Sequence, residues 1–196
     1  RRYWVWLWLI SLPLIVLSVF ISPLLDPIFN NFAPLSKSHP ALVDKLETVV
    51  ARTGTHIAPD RMYLMKASAK SNGLNAYVTG IGATKRFGMW DTATDRLPDA
   101  EVLFIFGHES GHYVLNHIPK MLAGMAAALF FVFWACAAFA GWLVRRFGSL
   151  WQIDSVSSRA GFITLILGLS IAGFILTPAA NTFSRHFEHQ ADVYGQ

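Results

Sequence analysis

The chain has 196 residues, enough for one domain of ordinary size, but its composition is not that of a soluble globular protein. Hydrophobic residues make up 54% of the chain and charged residues only 14%, which excludes a disordered polar chain. The net charge of +4 arises from 16 basic and 12 acidic residues without a long basic run, so we expect no nucleic-acid partner. Cys136 is the only cysteine, which excludes a disulfide within the chain and a cysteine-rich metal site.

Three uncharged apolar segments account for this composition. They are Tyr3–Leu25, Met121–Val144 and Ala160–Ala180. Each is long enough to cross about 30 Å of hydrocarbon as a helix. The first exceeds the roughly 7–15 apolar residues of a secretory signal and no cleavage-site pattern follows it, so we predict that it is retained. The pattern indicates a multi-pass integral membrane protein, with the lipid bilayer as a partner.

The three segments divide the chain into six parts. We predict transmembrane helices over residues 1–25, 121–144 and 160–180, a main polar domain over 26–120, a short loop over 145–159 and a final helix over 181–196. This arrangement places residues 26–120 and 181–196 on the same side of the membrane, so a joint site must combine them. Basic residues near the span ends number five on one side and four on the other, so charge does not choose the orientation. The chain lacks an initial methionine and stops within a helix-like segment, so we expect it to be part of a longer protein.

Within residues 26–120 the pattern predicts two helices and a small sheet. Ser38-His39-Pro40 is typical of a helix start and Gly54 of a helix end, with apolar residues at helical spacing between them. Pro98 and the acidic residues after it suit the first turn of a second helix, which we expect to continue toward the second span. Turn-forming residues separate three segments that we expect to form a small antiparallel sheet. These segments are Arg61–Ala67, Asn75–Ile81 and Thr84–Asp91.

The second predicted helix carries the motif His108-Glu109-Ser110-Gly111-His112. Residues four apart share a helix face, so His108 and His112 can offer two imidazoles to one zinc ion, with Glu109 beside them as a general base. With 7 histidines and 4 glutamates in the chain, such a pattern arises by chance about 0.005 times. The motif is typical of zincin peptidases and makes residues 26–120 the predicted catalytic domain.

Zinc in a catalytic site needs a third protein ligand, and the final helix offers one. Asn181, Arg185, Glu188 and Asp192 form a single polar stripe at helical spacing, directly after a membrane span. Glu188 can ligate the metal, and Asp192 can accept the second ring N–H of a zinc-bound histidine. The alternative is an exposed polar face on which Arg185 and Glu188 form an ion pair.

The chain resembles the CAAX prenyl protease type I family of integral-membrane zinc metallopeptidases, with HtpX-like proteases as more distant relatives. The resemblance extends from about Pro27 to Gly195 and depends on five landmarks. They are Asp26-Pro27-Ile28-Phe29-Asn30, Asn75-Ala76-Tyr77, Lys85-Arg86 with Asp91-Thr92, the His108 to His112 motif, and Asn181-x-x-Ser184-Arg185-x-x-Glu188-x-x-Ala191-Asp192. It implies a mainly α integral membrane protein with a small α+β zincin-like (gluzincin) catalytic domain that carries a short antiparallel sheet.

The resemblance also implies roles for individual residues. His108, His112 and Glu188 would bind one Zn²⁺ per chain, Glu109 would be catalytic, and Asp192, Arg185 and Asn181 would support the ligands. Asn75, Ala76 and Tyr77 would form the substrate-binding strand. Ser110 and Tyr113 depart from the residues usual in the family, and by resemblance we expect the family's substrate-holding histidine and arginine to lie downstream of this sequence. The roles of His117, His186 and His189 are left open.

Together these features predict a zinc metalloendopeptidase that cleaves membrane-associated proteins or peptides. The resemblance suggests a CAAX-type substrate, whereas a bacterial source without prenylation would favour broad cleavage at the inner membrane. By resemblance, the active site faces the cytosol. Two alternatives are an inactive zinc-binding membrane scaffold and a site-two-type intramembrane protease. Retention of Glu109 argues against the scaffold, and the absence of an acidic residue from the three apolar segments argues against the intramembrane protease.

Overall fold

A computed structural model describes residues 2–80, 84–156 and 158–196. Most of these residues are helical. The helices are α1 (Tyr3–Phe29), α2 (Leu35–Ser38), α3 (Pro40–Thr53), α4 (Asp91–Arg96), α5 (Asp99–Val114), α6 (His117–Trp151) and α7 (Arg159–Gly195). The strands are β1 (Phe32–Pro34), β2 (Met62–Met65), β3 (Ala76–Thr79) and β4 (Arg86–Trp90). Arg1, Ile81, Gly82, Ala83 and Ser157, which fall within or beside predicted segments, lie outside the described residues.

Among the residues that the structure describes, three helices are long and apolar enough to cross a membrane, by length and composition. The candidate spans are Tyr3–Ile21, His117–Trp151 and Gly161–Gly195. All three helices extend past the predicted boundaries. Helix α7 runs without a break through Ala180 to Gly195, so the predicted third span and final helix form one helix. Helix α1 continues past Leu25 to Phe29, and α6 continues to Trp151, so the first part of the predicted loop 145–159 is helical.

The chain forms two compact units. One contains the residues up to Val16 together with Pro119–Arg185. In this unit the indole N–H of Trp8 on α1 donates to the carbonyl oxygen of Ala126 on α6 at 2.9 Å. Gly168 of α7 lies close to Cys136 of α6, because a Cβ at Gly168 would lie 3.7 Å from the cysteine sulfur. Small residues thus allow helix backbones to approach closely, as is usual between apolar helices in membranes.

The other unit contains Leu17–Ile118 and His186–Gln196 and is built on a four-stranded sheet. The strand order is β1-β2-β4-β3, with β3 at an edge. The pairs β1/β2 and β3/β4 are antiparallel, whereas β2/β4 is parallel. The predicted small sheet is therefore present, but the expectation that it is wholly antiparallel is wrong for β2/β4. The reason is topological: β4 inserts between β2 and β3 instead of following β3 outward.

Helices α3 and α5 cover the sheet and form the hydrophobic core of this unit. Leu46 of α3, Phe106 of α5, and Met62 and Phe87 of the sheet are fully buried. Helix α3 ends as the sequence predicts, because Gly54 adopts a left-handed conformation (φ 65°) and its N–H donates to the carbonyl oxygen of Val50. Burial of this face against the sheet fixes the position of α5, which carries the metal-binding motif.

Helix α5 does not run continuously into the second span. It ends at Val114, and α6 begins at His117 after a sharp turn. Asn116 in this turn has φ 55°, a left-handed conformation that asparagine adopts more readily than most residues. The helix predicted to continue through Val102 to Phe106 is therefore present, and it ends at Val114, just before the second candidate span begins at His117.

Candidate metal centre

Helix α5 presents the two histidines of the motif side by side. The Nε2 atoms of His108 and His112 lie 3.1 Å apart. Both side chains are largely buried. The four-residue spacing places them one turn apart on the same face of α5, as the sequence predicts.

The final helix α7 brings a carboxylate to this pair. Glu188 Oε2 lies 3.4 Å from Nε2 of His108 and 3.7 Å from Nε2 of His112. Ligands at about 2.0–2.1 Å from one tetrahedral zinc ion lie roughly 3.3 Å from one another, so the three observed separations fit such an ion. Two imidazoles and a carboxylate are also a donor set that zinc accepts in catalytic sites. The residues present therefore fit the metal.

Asp192 lies one turn after Glu188 and binds the other side of His108. Its Oδ1 lies 2.9 Å from Nδ1 of His108. If His108 uses Nε2 for the metal, its Nδ1 carries the proton and donates it to the carboxylate. The structure thus brings His108, Glu188 and Asp192 into the relationship that the polar stripe suggested.

A close approach between backbones makes this relationship possible. A Cβ on Gly107 of α5 would lie 3.0 Å from Cα of Gly195, and a Cβ on Gly111 would lie 3.0 Å from Cβ of Tyr194. The Tyr194 hydroxyl also donates to the carbonyl oxygen of Thr53 at 2.7 Å, which ties the end of α7 to α3. Glycines one turn apart on α5 therefore form the surface on which the last turn of α7 packs.

Glu109 lies next to the ligands and contacts the edge of the sheet. Burial raises the pKa of its carboxyl group, the charge of His108 lowers it, Glu188 raises it, and a hydrogen bond from the Val78 N–H lowers it. The net direction is upward. An upward shift is the direction that suits a general base working near neutral pH.

The edge strand β3 connects this base to a possible substrate. Tyr113 donates its hydroxyl to the carbonyl oxygen of Val78 at 3.2 Å, so both main-chain groups of Val78 point away from β4. Because main-chain direction alternates along a strand, Ala76 presents its N–H and C=O to the same outer edge. Burial and the nearby Glu109 raise the pKa of Tyr113 to about 12, so its hydroxyl stays protonated and can donate.

The neighbours of Ala76 in the predicted substrate strand have other contacts. The carbonyl oxygen of Asn75 accepts the Trp90 N–H at 3.0 Å, and the Tyr77 hydroxyl donates to Asp26 Oδ2 at 2.6 Å. Burial, together with that bond, raises the pKa of Tyr77. Asn75, Tyr77 and Asp26 line an open cavity of about 330 Å³. Two of the sequence landmarks thus meet at one cavity.

The remaining predicted residues are less closely connected with the metal group. Asn181 and Arg185 lie earlier on α7 in the other compact unit, and both are exposed. Their roles remain predictions. His189 is also exposed, whereas His117 is fully buried, with its Nδ1 3.0 Å from Nδ1 of His112.

Sequence reasoning missed two residues of this region. Gln190 Oε1 lies 3.0 Å from Nε2 of His117. Val78 contacts Glu109 and Tyr113 through main-chain groups that any residue would supply. Asn116 is a local signal that could have indicated the turn that brings His117 to His112, because asparagine is favoured where a helix ends in a left-handed residue.

Comparisons with known proteins show which proteins this chain resembles. A Bacillus subtilis protein named uncharacterized metalloprotease YhfN is 36% identical over 198 residues, which cover 100% of this chain and 45% of that protein. The CAAX prenyl protease 1 homolog of Dictyostelium discoideum is 29% identical over 205 residues, covering 98% of this chain and 45% of its own length. The crystal structure of S. mikatae Ste24p has the same fold, with a TM-score of 0.71 at 24% identity. The match covers 100% of this chain and 48% of the Ste24p chain.

The chain thus spans about half the length of the curated relatives it matches. The resemblance to CAAX prenyl proteases that the landmarks indicated is confirmed. The fold class is also confirmed, as a mainly helical protein with a small sheet and, within the described part of the chain, three candidate membrane-spanning helices. The model of Peptidase family M48 matches residues 36–196, and the chain belongs to that family.

Proposed function

We propose that the protein is a membrane-embedded zinc metalloendopeptidase that hydrolyses peptide bonds in membrane-associated proteins or peptides. The observation that carries this proposal is the group formed by His108, His112 and Glu188. One ligand atom from each lies within 4.8 Å of the others. The partly buried Glu109 lies next to this group. These three residues would hold the ion. Zinc, when bound in such a site, polarises a carbonyl group and activates water for attack.

Glu109 has the proton-transfer role in this proposal. Its carboxylate takes a proton from the attacking water and passes it to the nitrogen of the leaving amine, so the peptide C–N bond breaks without an acyl-enzyme. The hydrogen bond from the Val78 N–H holds the carboxylate at the sheet edge. A structural zinc site has no use for such a base, which is why we prefer the enzyme to the scaffold.

The substrate is proposed to add to the outer edge of β3 as an extended strand. Ala76 presents both main-chain groups to this edge, where they can pair with the substrate backbone. Val78 is already bonded through its N–H and C=O to Glu109 and Tyr113. The pairing therefore uses Ala76 and stops at Val78, next to the base. Main-chain recognition of this kind accepts many sequences, so we propose broad endopeptidase activity.

The direct test uses the purified full-length protein in detergent. We expect one Zn²⁺ per chain and cleavage of a generic internally quenched peptide, with activity lost to a chelator and restored by zinc. Lipidated and bare versions of the peptide should be cleaved at comparable rates. A requirement for the lipid would contradict the broad specificity, and absence of both zinc and cleavage would contradict the enzyme itself.

The membrane arrangement is proposed from the candidate spans and from the resemblance. We propose that residues 26–120 and 181–196 share one compartment, the cytosol. Single cysteines placed at Ser71 and near Gln196 should then react with the same impermeant reagent. Labelling from opposite sides would remove Glu188 from the site.

A further inference from the structure

The second ligand histidine, His112, has a partner that reaches it through the break between α5 and α6. In a continuous helix a residue five positions on lies about 140° around the axis, so His117 would face away from His112. The left-handed conformation of Asn116 instead breaks the helix. As a result, Nδ1 of His117 lies 3.0 Å from Nδ1 of His112. His117 is fully buried there, with its ring 4.7 Å from that of Phe187.

His117 does not lie among the metal ligands themselves. His112 points Nε2 toward His108 and Glu188, and points Nδ1 toward His117. The imidazole ring of His112 therefore separates His117 from the ligand group. This excludes His117 as a further ligand and places it behind one.

The hydrogen bonds then have only one consistent assignment of protons. If His112 offers the lone pair of Nε2 to the metal, its Nδ1 carries the proton and donates to Nδ1 of His117. His117 must then carry its own proton on Nε2, and this N–H donates to Oε1 of Gln190 at 3.0 Å. Gln190 Nε2 in turn donates to Nε2 of His186 at 3.1 Å. The three N–H groups named here, on His112, His117 and Gln190, thus each meet an acceptor.

We propose that His117, oriented by Gln190, is the positioning residue that fixes the tautomer and ring orientation of His112 for the metal. The inference rests on the proposed function and deepens it. Helix α7 would hold both ligand histidines, His108 directly through Asp192 and His112 through Gln190 and His117. A shift in the last turns of α7 would then disturb all three ligands together.

The test measures the affinity for Zn²⁺ alone, in competition with a chelator, on the full-length protein in detergent. His117→Phe preserves a planar ring but removes both nitrogens, and should weaken zinc binding about 10–100-fold, as loss of a ligand's hydrogen-bond partner commonly does. His117→Asn should restore much of the affinity, because its amide oxygen can accept the proton of His112 in place of Nδ1. The matched control is His189→Phe, an exposed histidine near the same end of α7, which should bind zinc like the parent.

A second pair of variants, both at Gln190, distinguishes a positioning role of His117 from a general loss of structure. Gln190→Glu preserves an acceptor for the His117 N–H, whereas Gln190→Leu removes it. We expect Gln190→Leu to bind zinc more weakly than Gln190→Glu, while the two metal-free proteins unfold at similar temperatures. This pair also decides the matter if His117→Phe does not fold.

The results distinguish failure of the positioning role of His117 from failure of the proposed peptidase function. Parent-like zinc affinity in folded His117→Phe, or equal affinities in the two Gln190 variants, would overturn the positioning role and leave the peptidase proposal intact. Failure of the parent protein to bind zinc would overturn the proposed function, and the positioning role with it.

Discussion

Gly107 of α5 and Gly195 of α7 lie so close together that a Cβ on Gly107 would be 3.0 Å from the Cα of Gly195. This contact lies one residue before His108 and three residues after Asp192. The absence of both side chains lets the last turn of α7 pack directly on the helix that carries the motif. The contact between these two glycines therefore helps to bring the third ligand, Glu188, to the histidines.

We expect Gly107→Ala to disturb both stability and metal binding. The added methyl group meets backbone rather than a movable side chain, and such overpacking costs about 1–3 kcal/mol. The thermal unfolding temperature should fall and zinc affinity should fall with it, because α7 must move away from α5. Gly173→Ala is the matched control, since a Cβ there meets nothing within 4 Å. An unchanged unfolding temperature in Gly107→Ala would show that the contact is looser than the structure indicates.

Asp192 and Glu188 should differ in their effects on zinc. Glu188→Ala removes a ligand atom from the group, so zinc retention should fall steeply, as it should in His108→Ala and His112→Ala. Asp192→Ala removes only the acceptor of the His108 N–H, and we expect a loss of about 10–100-fold. Both are measured by chelator competition on the metal-loaded protein. Unchanged zinc stoichiometry in Glu188→Ala would mean that the third ligand lies elsewhere.

Ser110 offers a stabilising substitution within the motif. Its side chain is fully buried, and among the residues that the structure describes its hydroxyl oxygen has no hydrogen-bond partner. A buried unpaired hydroxyl costs about 1–3 kcal/mol, so Ser110→Ala should raise the free energy of unfolding by roughly 1 kcal/mol after the loss of packing. Thermal unfolding of the metal-free protein measures this. A lower unfolding temperature would indicate that the hydroxyl has a partner in solution.

Asp91 predicts a dependence of stability on pH. Its Oδ1 accepts the backbone N–H groups of Ala67, Ser68 and Thr92, and its Oδ2 accepts the Ser68 hydroxyl. Burial tends to raise the pKa of this carboxyl, but the hydrogen bonds from Ser68, Ala67 and Thr92 outweigh it and lower the pKa.

A carboxyl group with a lowered folded-state pKa stabilises the protein above its unfolded pKa and loses that contribution as the pH falls through the folded value. The metal-free parent should therefore unfold at a higher temperature than Asp91→Asn near neutral pH. The difference in unfolding temperature should shrink below about pH 4, where the carboxylate begins to protonate in the unfolded chain. A difference that stays constant over this range would exclude the charge of Asp91 as its source.

Much of the fold was predictable because its signals are local. The start of α3 at Pro40, its end at Gly54 and the start of α5 after Pro98 follow from capping residues and apolar spacing. The three apolar segments predicted the three long helices. The two histidines of the motif and Glu188 were predictable for the same reason, since helical periodicity alone places each on a defined face.

Features that depend on distant contacts were not predictable. Strand β1 has only three residues and includes Pro34, so no period-2 pattern marks it. The parallel pairing of β2 with β4 depends on which two strands occupy the centre of the sheet, and that order brings together strands that are not adjacent in the sequence. Gln190 was missed because its partner His117 reaches it through the left-handed turn at Asn116, which no periodic pattern records.

The measurement that tests the account most directly is turnover of Glu109→Gln in the full-length protein. The amide has nearly the shape of the carboxylate and leaves His108 and His112 in place, so zinc should bind with parent stoichiometry and the peptide should still bind. The amide cannot take a proton from water at neutral pH, and loss of general-base help is worth about 10²–10⁴-fold in rate. We therefore predict that Glu109→Gln binds zinc and peptide like the parent and cleaves the peptide about 10²–10⁴-fold more slowly. Cleavage at the parent rate by zinc-loaded Glu109→Gln would contradict the account.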